Sequence, residues 1–158
     1  MSYLLSSQIA SVDNVSFNQL TCPIITASAG ANLTISSTPT LAGVSKDANN
    51  HLVLASGSSY LLEVSVGLYK TSSATCVVQW YSQTDGAYIG QDCVAKTYLW
   101  FSNGARVTRF VARVFILASD ITGASITLHP KVKSVSTSGA TLGYSGYTHP
   151  TVRVWRIA

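Results

Sequence analysis

Apolar and polar residues alternate from Ser59 to Tyr81 with the period of a β-strand. Tyr60, Leu62, Val64, Val66 and Leu68 fall on one side, and Leu61, Glu63, Ser65, Gly67 and Tyr69 on the other. After Lys70, Thr71, Ser72 and Ser73 a second run puts Ala74, Cys76, Val78 and Trp80 on one face. Successive strand side chains point to opposite faces, so each run predicts a strand with one dry side. A dry side of that length must be covered by a second sheet, and the flanking segments supply its strands. Ala87 to Val94 returns from a turn at Gln83 to Gly86. Val107 to Leu117 is a further long strand, with Phe110, Ala112, Val114 and Ile116 on one face and Arg109, Val111, Arg113, Phe115 and Leu117 on the other. The mixed apolar and basic face is what a sheet packed on a neighbouring subunit would show. Ser125 to Val132 and Thr151 to Ile157 complete the long strands. Between Cys22 and Leu54, short apolar runs (Ile24–Ile25, Leu33–Ile35, Leu41–Ala42, Leu52–Leu54) are divided by Gly30, Pro39, Gly43 and Asp47–Asn50, which predicts short strands and turns. No stretch carries the period of an amphipathic helix. The expected fold class is all-β, an antiparallel two-sheet β-sandwich of jelly-roll type.

Residues 1–20 stand apart. Tyr3, Leu4, Leu5, Ile9, Val12, Val15 and Phe17 are scattered among Ser, Asn and Gln without a clear period, so this segment reads as an N-terminal arm and residues 21–158 as the head domain. With Leu4, Leu5, Ile9 and Phe17 the arm is too apolar for a solvated tail. It is expected to lie against its own domain, a neighbouring subunit or a scaffold, with those four residues as the anchors.

Composition sharpens the picture. At 158 residues the chain fits one domain with a full core. Only 10% of residues are charged, against about 25% in an average soluble protein. A lone monomer with so little charge would tend to self-associate, so much of the surface is expected to be covered by identical partners or a larger particle. The charge is also uneven: residues 1–90 carry a net −2, and residues 91–158, with eight Lys and Arg against Asp92 and Asp120, carry +6. Ordinary solvated strand faces explain this better than a surface for polyanions. Arg106, Arg109 and Arg113, at spacings of three and four, do not all share one strand face, which argues against nucleic-acid binding.

Cys22, Cys76 and Cys93 have no metal-like spacing, and no cofactor is expected. A hairpin turning at Gln83–Gly86 puts Cys76 and Cys93 on one face, opposed or diagonal, so a disulfide is one option and two buried thiols the favoured one. The three histidines, one glutamate and five aspartates form no recognisable nucleophile, metal or acid–base motif, and an enzyme is not expected. The start, Met1 to Ser7, lacks a basic leader and an apolar core, which predicts synthesis in a cytoplasm. The apolar run Phe110 to Ala118 is short and holds Arg113, so no spanning helix and no membrane partner are expected.

Three groups of residues carry a resemblance over about residue 30 to the end: Gly57-Ser58-Ser59-Tyr60-Leu61-Leu62-Glu63-Val64; Val78-Gln79-Trp80-Tyr81 with Gly86 and Ile89-Gly90; and Val114 to Ile121 followed by Ser125-Ile126-Thr127-Leu128. Their order resembles the trimeric jelly rolls of the tumour necrosis factor and complement globular-head superfamily. The resemblance implies a homotrimer whose inner sheets meet around a threefold axis, and strand parity then points to Tyr69, Val111, Phe115 and Trp155 as interface residues. A free-standing head with a short arm resembles the virion proteins of tailed bacteriophages. The expectation is a capsid decoration or cement protein on the virion surface, bound to the major capsid protein partly through its arm. The alternative is a receptor-binding knob, with the aromatic segments 98–104 and 144–149 stacking on a host-surface glycan.

Overall fold

A computed structural model describes residues 15–70, 73–97, 108–144 and 149–157 of the chain. They form eleven strands: β1 (Val15–Thr21), β2 (Ile25–Thr26), β3 (Val44–Lys46), β4 (Leu52–Ala55), β5 (Ser59–Tyr69), β6 (Ala74–Ser82), β7 (Ala87–Thr97), β8 (Thr108–Ile116), β9 (Ser125–Val135), β10 (Thr141–Leu142) and β11 (Thr151–Ile157). The helical content among the described residues is one short 3₁₀ turn, Ala118–Asp120. All strand pairs are antiparallel.

Two sheets result. In the first, β5 is central: β8 runs along one side, β11 and then β10 along the other, with β1 outside β11 and β2 outside β10. The second has the order β3-β4-β9-β6-β7. The chain is therefore an all-β jelly-roll sandwich, and the alternation read along β5, β6 and β8 correctly identifies the faces. Tyr60, Leu62, Val64, Val66 and Leu68 of β5 meet Cys76, Val78 and Trp80 of β6 in the core, all at most 1% exposed. Burying these side chains on both inner faces is what holds the layers together. Two polar tips on large rings are satisfied across the layers: Trp80 Nε1 donates to the Ala112 carbonyl at 3.1 Å, and Tyr60 Oη donates to the Ala55 carbonyl at 2.9 Å.

At one edge the sheets close on each other through β7 and β8. Gly90 has φ +72°, and a Cβ there would sit 2.7 Å from the Arg113 carbonyl oxygen and 2.9 Å from Val114 Cβ. Only glycine allows β7 to approach β8 this closely.

Two expectations are corrected. The segment read as an arm already enters the fold at Val15: β1 pairs with β11 over its whole length, and Leu20 is fully buried. Its alternation is masked in sequence because the outward positions mix Phe17 with Gln19 and Thr21. Leu33 and Ile35 are core residues but not a strand. Their segment is held by backbone bonds from Leu33 to Pro130 and from Ile35 to Asn50 and by a single bridge between Asn32 and Lys131. Leu4, Leu5 and Ile9, the loop 98–104 and residues 145–148 lie outside the described residues.

Candidate interaction surface

Strand register turns the outward side chains of the first sheet into rows. Phe17 of β1 faces Trp155 of β11, Trp155 faces Leu61 of β5, and Leu61 faces Phe115 of β8. This is an apolar row four strands wide. The Phe17 and Trp155 ring centroids are 5.1 Å apart, while Phe17 is 51% exposed, Phe115 49% and, one step beyond β8, Leu117 47%. Such side chains gain about 1.5–3 kcal/mol each when fully buried, and here they meet water.

The next row is charged: Gln19, Arg153, Glu63 and Arg113. Glu63 is only 5% exposed. Arg113 Nε donates to Glu63 Oε2 at 2.7 Å, and Arg153 NH1 donates to Oε1 at 3.1 Å. A carboxylate this buried needs such partners, because a lone ion away from water is costly. Two guanidiniums against one carboxylate leave the row with one excess positive charge. Beyond it come Thr21, Thr151, Ser65 and Val111, with a depression of about 150 Å³ lined by residues of both rows, Gly67 and His149.

Val111, Phe115 and Trp155 thus share one face, as strand parity indicated. Tyr69 lies on the same side of β5 at its far end, paired with Thr141 and stacked on Tyr144 at 4.1 Å. Phe17, assigned to the arm, in fact belongs to this face through β1. Sequence reading missed Glu63 and its two arginines. The signal was there: a glutamate inside an apolar strand has to find cations, and Arg113 and Arg153 lie on outward positions of their strands.

The second sheet's outer face carries a ring ladder. His51 stacks on His129 at 4.1 Å, His129 lies 5.5 Å from Tyr81, and Tyr81 meets Tyr88 edge-on at 5.2 Å. Lys131 Nζ sits 4.2 Å over the Tyr81 ring, and Lys133 bonds Asp92 and Gln79. His129 is 1% exposed and neither ring nitrogen has a hydrogen-bond partner. Burial, then the neighbouring His51 and Lys131, hold its pKa down at about 4, with Asp47 pulling the other way. His51 Nδ1 lies 3.3 Å from Asp47 Oδ2, within ion-pair reach but without hydrogen-bond geometry. Among the described residues no three His, Cys, Asp or Glu side chains are placed to hold a metal ion.

All three cysteines are free thiols. Cys76 pairs with Ala95 and Cys93 with Val78, so the two are diagonal neighbours, at a Cα separation of about 7–8 Å in a regular sheet, too wide for an unstrained bridge. Burial, followed by the neighbouring Cys93, pushes the Cys76 thiol up to about 11, and burial pushes Cys22 up to about 12. Burial also raises Cys93, against a hydrogen bond from the Val111 backbone. Such thiols are packing groups rather than nucleophiles.

No protein-family model matches the chain, and no curated protein matches it in sequence. In three dimensions it is similar to the Eiger TNF from S. frugiperda, at 8% identity over 92% of this chain and 94% of that one, with a TM-score of 0.57. It is likewise similar to murine APRIL, at 14% identity over 89% of this chain and 98% of that one, with a TM-score of 0.55. The likeness is one of fold: a sandwich of the tumour necrosis factor type.

Proposed function

We propose that the chain is a structural, non-catalytic head that closes into a homotrimer through the outer face of its first sheet, and that it decorates and stabilises a virus capsid. The observation that carries the first part is the row Phe17, Trp155, Leu61 and Phe115, extended by Leu117, which leaves large apolar side chains half-exposed on a chain with only 10% charged residues. A contiguous apolar patch with basic residues beside it has the composition of an interface centre. Threefold closure lets each subunit present the same face to the axis without leaving an open, fibre-forming contact.

The capsid assignment, with the major capsid protein as partner and the virion surface as location, draws on the low charge, the apolar residues Leu4, Leu5 and Ile9 ahead of β1, and the lack of any catalytic motif in the sequence. A short apolar segment leading into an edge strand can extend the contact area of a small head far beyond its own footprint. The stack of Tyr69 on Tyr144, two partly exposed rings, favours the receptor-binding knob as a second reading, since such rings suit a glycan.

Sedimentation equilibrium of the purified chain tests the assembly: a mass three times the 16.7 kDa of one chain is expected, and a monomer at micromolar concentration would reject it. Quantitative mass spectrometry of the source particle tests the role. Copy numbers near those of the shell protein support decoration, and a handful of copies per particle would move the chain to a tail and to receptor binding.

A further inference from the structure

We infer that the depression beside the Arg113, Glu63 and Arg153 row binds a small tetrahedral oxyanion of the phosphate class. Where neighbouring subunits cover this face, they enclose the anion; the enclosure rests on the trimeric reading above, whereas the site stands on its own geometry.

The hollow, about 150 Å³, is formed by Gln19, Ser65, Gly67, His149, Thr151 and Arg153. Gly67, which carries no side chain, lines it. Thr151 and Ser65 are register partners, and both line it. Arg153 is held in place from two directions: Nε donates to Gln19 Oε1 at 3.2 Å and NH1 to Glu63 Oε1 at 3.1 Å. With those N–H groups committed, the rest of its planar fork remains for a ligand. Gln19 accepts with its oxygen and keeps its NH₂ as a donor. His149 is positioned by Pro150, whose carbonyl accepts the Cys22 N–H at 2.9 Å.

The chemistry of this lining is one-sided. Among the described residues it offers a guanidinium, an imidazole, an amide and two hydroxyls, and no carboxylate. Glu63 lies behind Arg153, already shared with Arg113. Donors converging on a site with net positive charge suit an anion with several acceptor oxygens, and guanidinium matches phosphate geometry particularly well.

A second copy of the chain is a poor source of that negative charge. Among the described residues every other acid is engaged: Asp47 by the backbone of Asn49 and His51, Asp85 by Ser82, Asp92 by Lys133, and Asp120 by the backbone of Leu117. Covering the first sheet therefore takes this row's excess positive charge, two guanidiniums against one carboxylate, out of water, which is costly unless a mobile anion accompanies it.

The test titrates inorganic phosphate into the full-length chain at constant ionic strength, with chloride as the control, by calorimetry and by thermal unfolding, alongside sedimentation equilibrium. Binding with a Kd of about 1 mM or tighter is expected, with a rise in Tm that chloride does not give. His149→Ala, at an exposed position outside the ion pairs, should weaken phosphate binding at least about tenfold, the loss of one charge-assisted contact, and Arg153→Gln should abolish it. Lys133→Gln, a cation on the opposite sheet, should leave it unchanged. Phosphate behaving as chloride does, or Lys133→Gln weakening binding as much as His149→Ala, would overturn the site. A trimer that ignores phosphate would sink this inference and leave the assembly intact. A monomer that still binds phosphate would sink the enclosure and the trimeric reading together and leave the site established.

Discussion

The outer face of the first sheet presents large apolar side chains to water beside a row whose charges do not balance. The second sheet's outer face exposes Val94 and Tyr88 but consumes its own polar and charged groups: rings stack on rings, Lys131 covers Tyr81, and Lys133 is bonded to Asp92 and Gln79. Among the described residues its unpaired ring atoms are both nitrogens of His129 and Nδ1 of His51. Both faces belong to one sandwich and are built from the same alternation. The difference teaches that the alternating pattern decides which residues point outward, while the balance among those outward residues decides whether a face needs a partner.

The comparison can be broken first by removing the edge of the incomplete face. Deleting residues 1–20 takes away β1 with Leu20 and uncovers β11. Losing a buried leucine alone costs about 2–5 kcal/mol, so this truncation should fail to fold by circular dichroism, whereas deleting only the residues ahead of Val15 should leave the Tm of the head unchanged.

Next, Trp155→Ser should turn trimers into monomers that remain folded, because the half-buried indole sits on the face and not in the core. The expected loss is about 2–4 kcal/mol for a central aromatic anchor, read as a fall in sedimentation mass. An intact trimer would show that the apolar row faces something else.

The self-contained face should break in acid. His129 titrates in the fold at about 4, below the ordinary 6.5 of histidine. As pH falls through 6.5, the unfolded chain takes up a proton that the folded chain refuses until about pH 4. Stability is therefore full at neutral pH and declines between those values, by up to about 3 kcal/mol. Denaturant midpoints across this window should show the decline, and His129→Phe, which keeps a stacked ring, should flatten it.

The smallest effect is expected at the charged row. Glu63→Gln preserves shape but leaves two guanidiniums without their counter-charge. Their side chains are 66% and 42% exposed, so solvent screening limits the loss to about 1–2 kcal/mol, and chemical denaturation at low and high salt should show it shrinking as salt rises.

Much of this was legible in the chain. The five long strands from β5 to β9, and β11, follow from period-two alternation, as do the inward sets of β5, β6 and β8; such alternation is local sterics and needs no partner to be read. Val111, Phe115 and Trp155 could be assigned to one face by parity alone. β1 was not legible, because its outward positions mix an aromatic with polar residues and it is shaped by pairing with β11, at the other end of the chain. Nor was the charged row: Glu63 lies 50 residues from Arg113 and 90 from Arg153, and the cysteine geometry depended on a register that turn length left open.

By itself, then, the sequence determined strand identity, the dry and wet sides, the single core and the shortage of charge, because these depend on each residue and its immediate neighbours. Only the tertiary structure decided which outward residues stand next to one another: the apolar row, the arginine-bracketed glutamate, the hollow beside it and the stacked histidines. Those juxtapositions are set by inter-strand register between distant segments, and a shift of one residue would have exchanged every one of them for its neighbour on the opposite face.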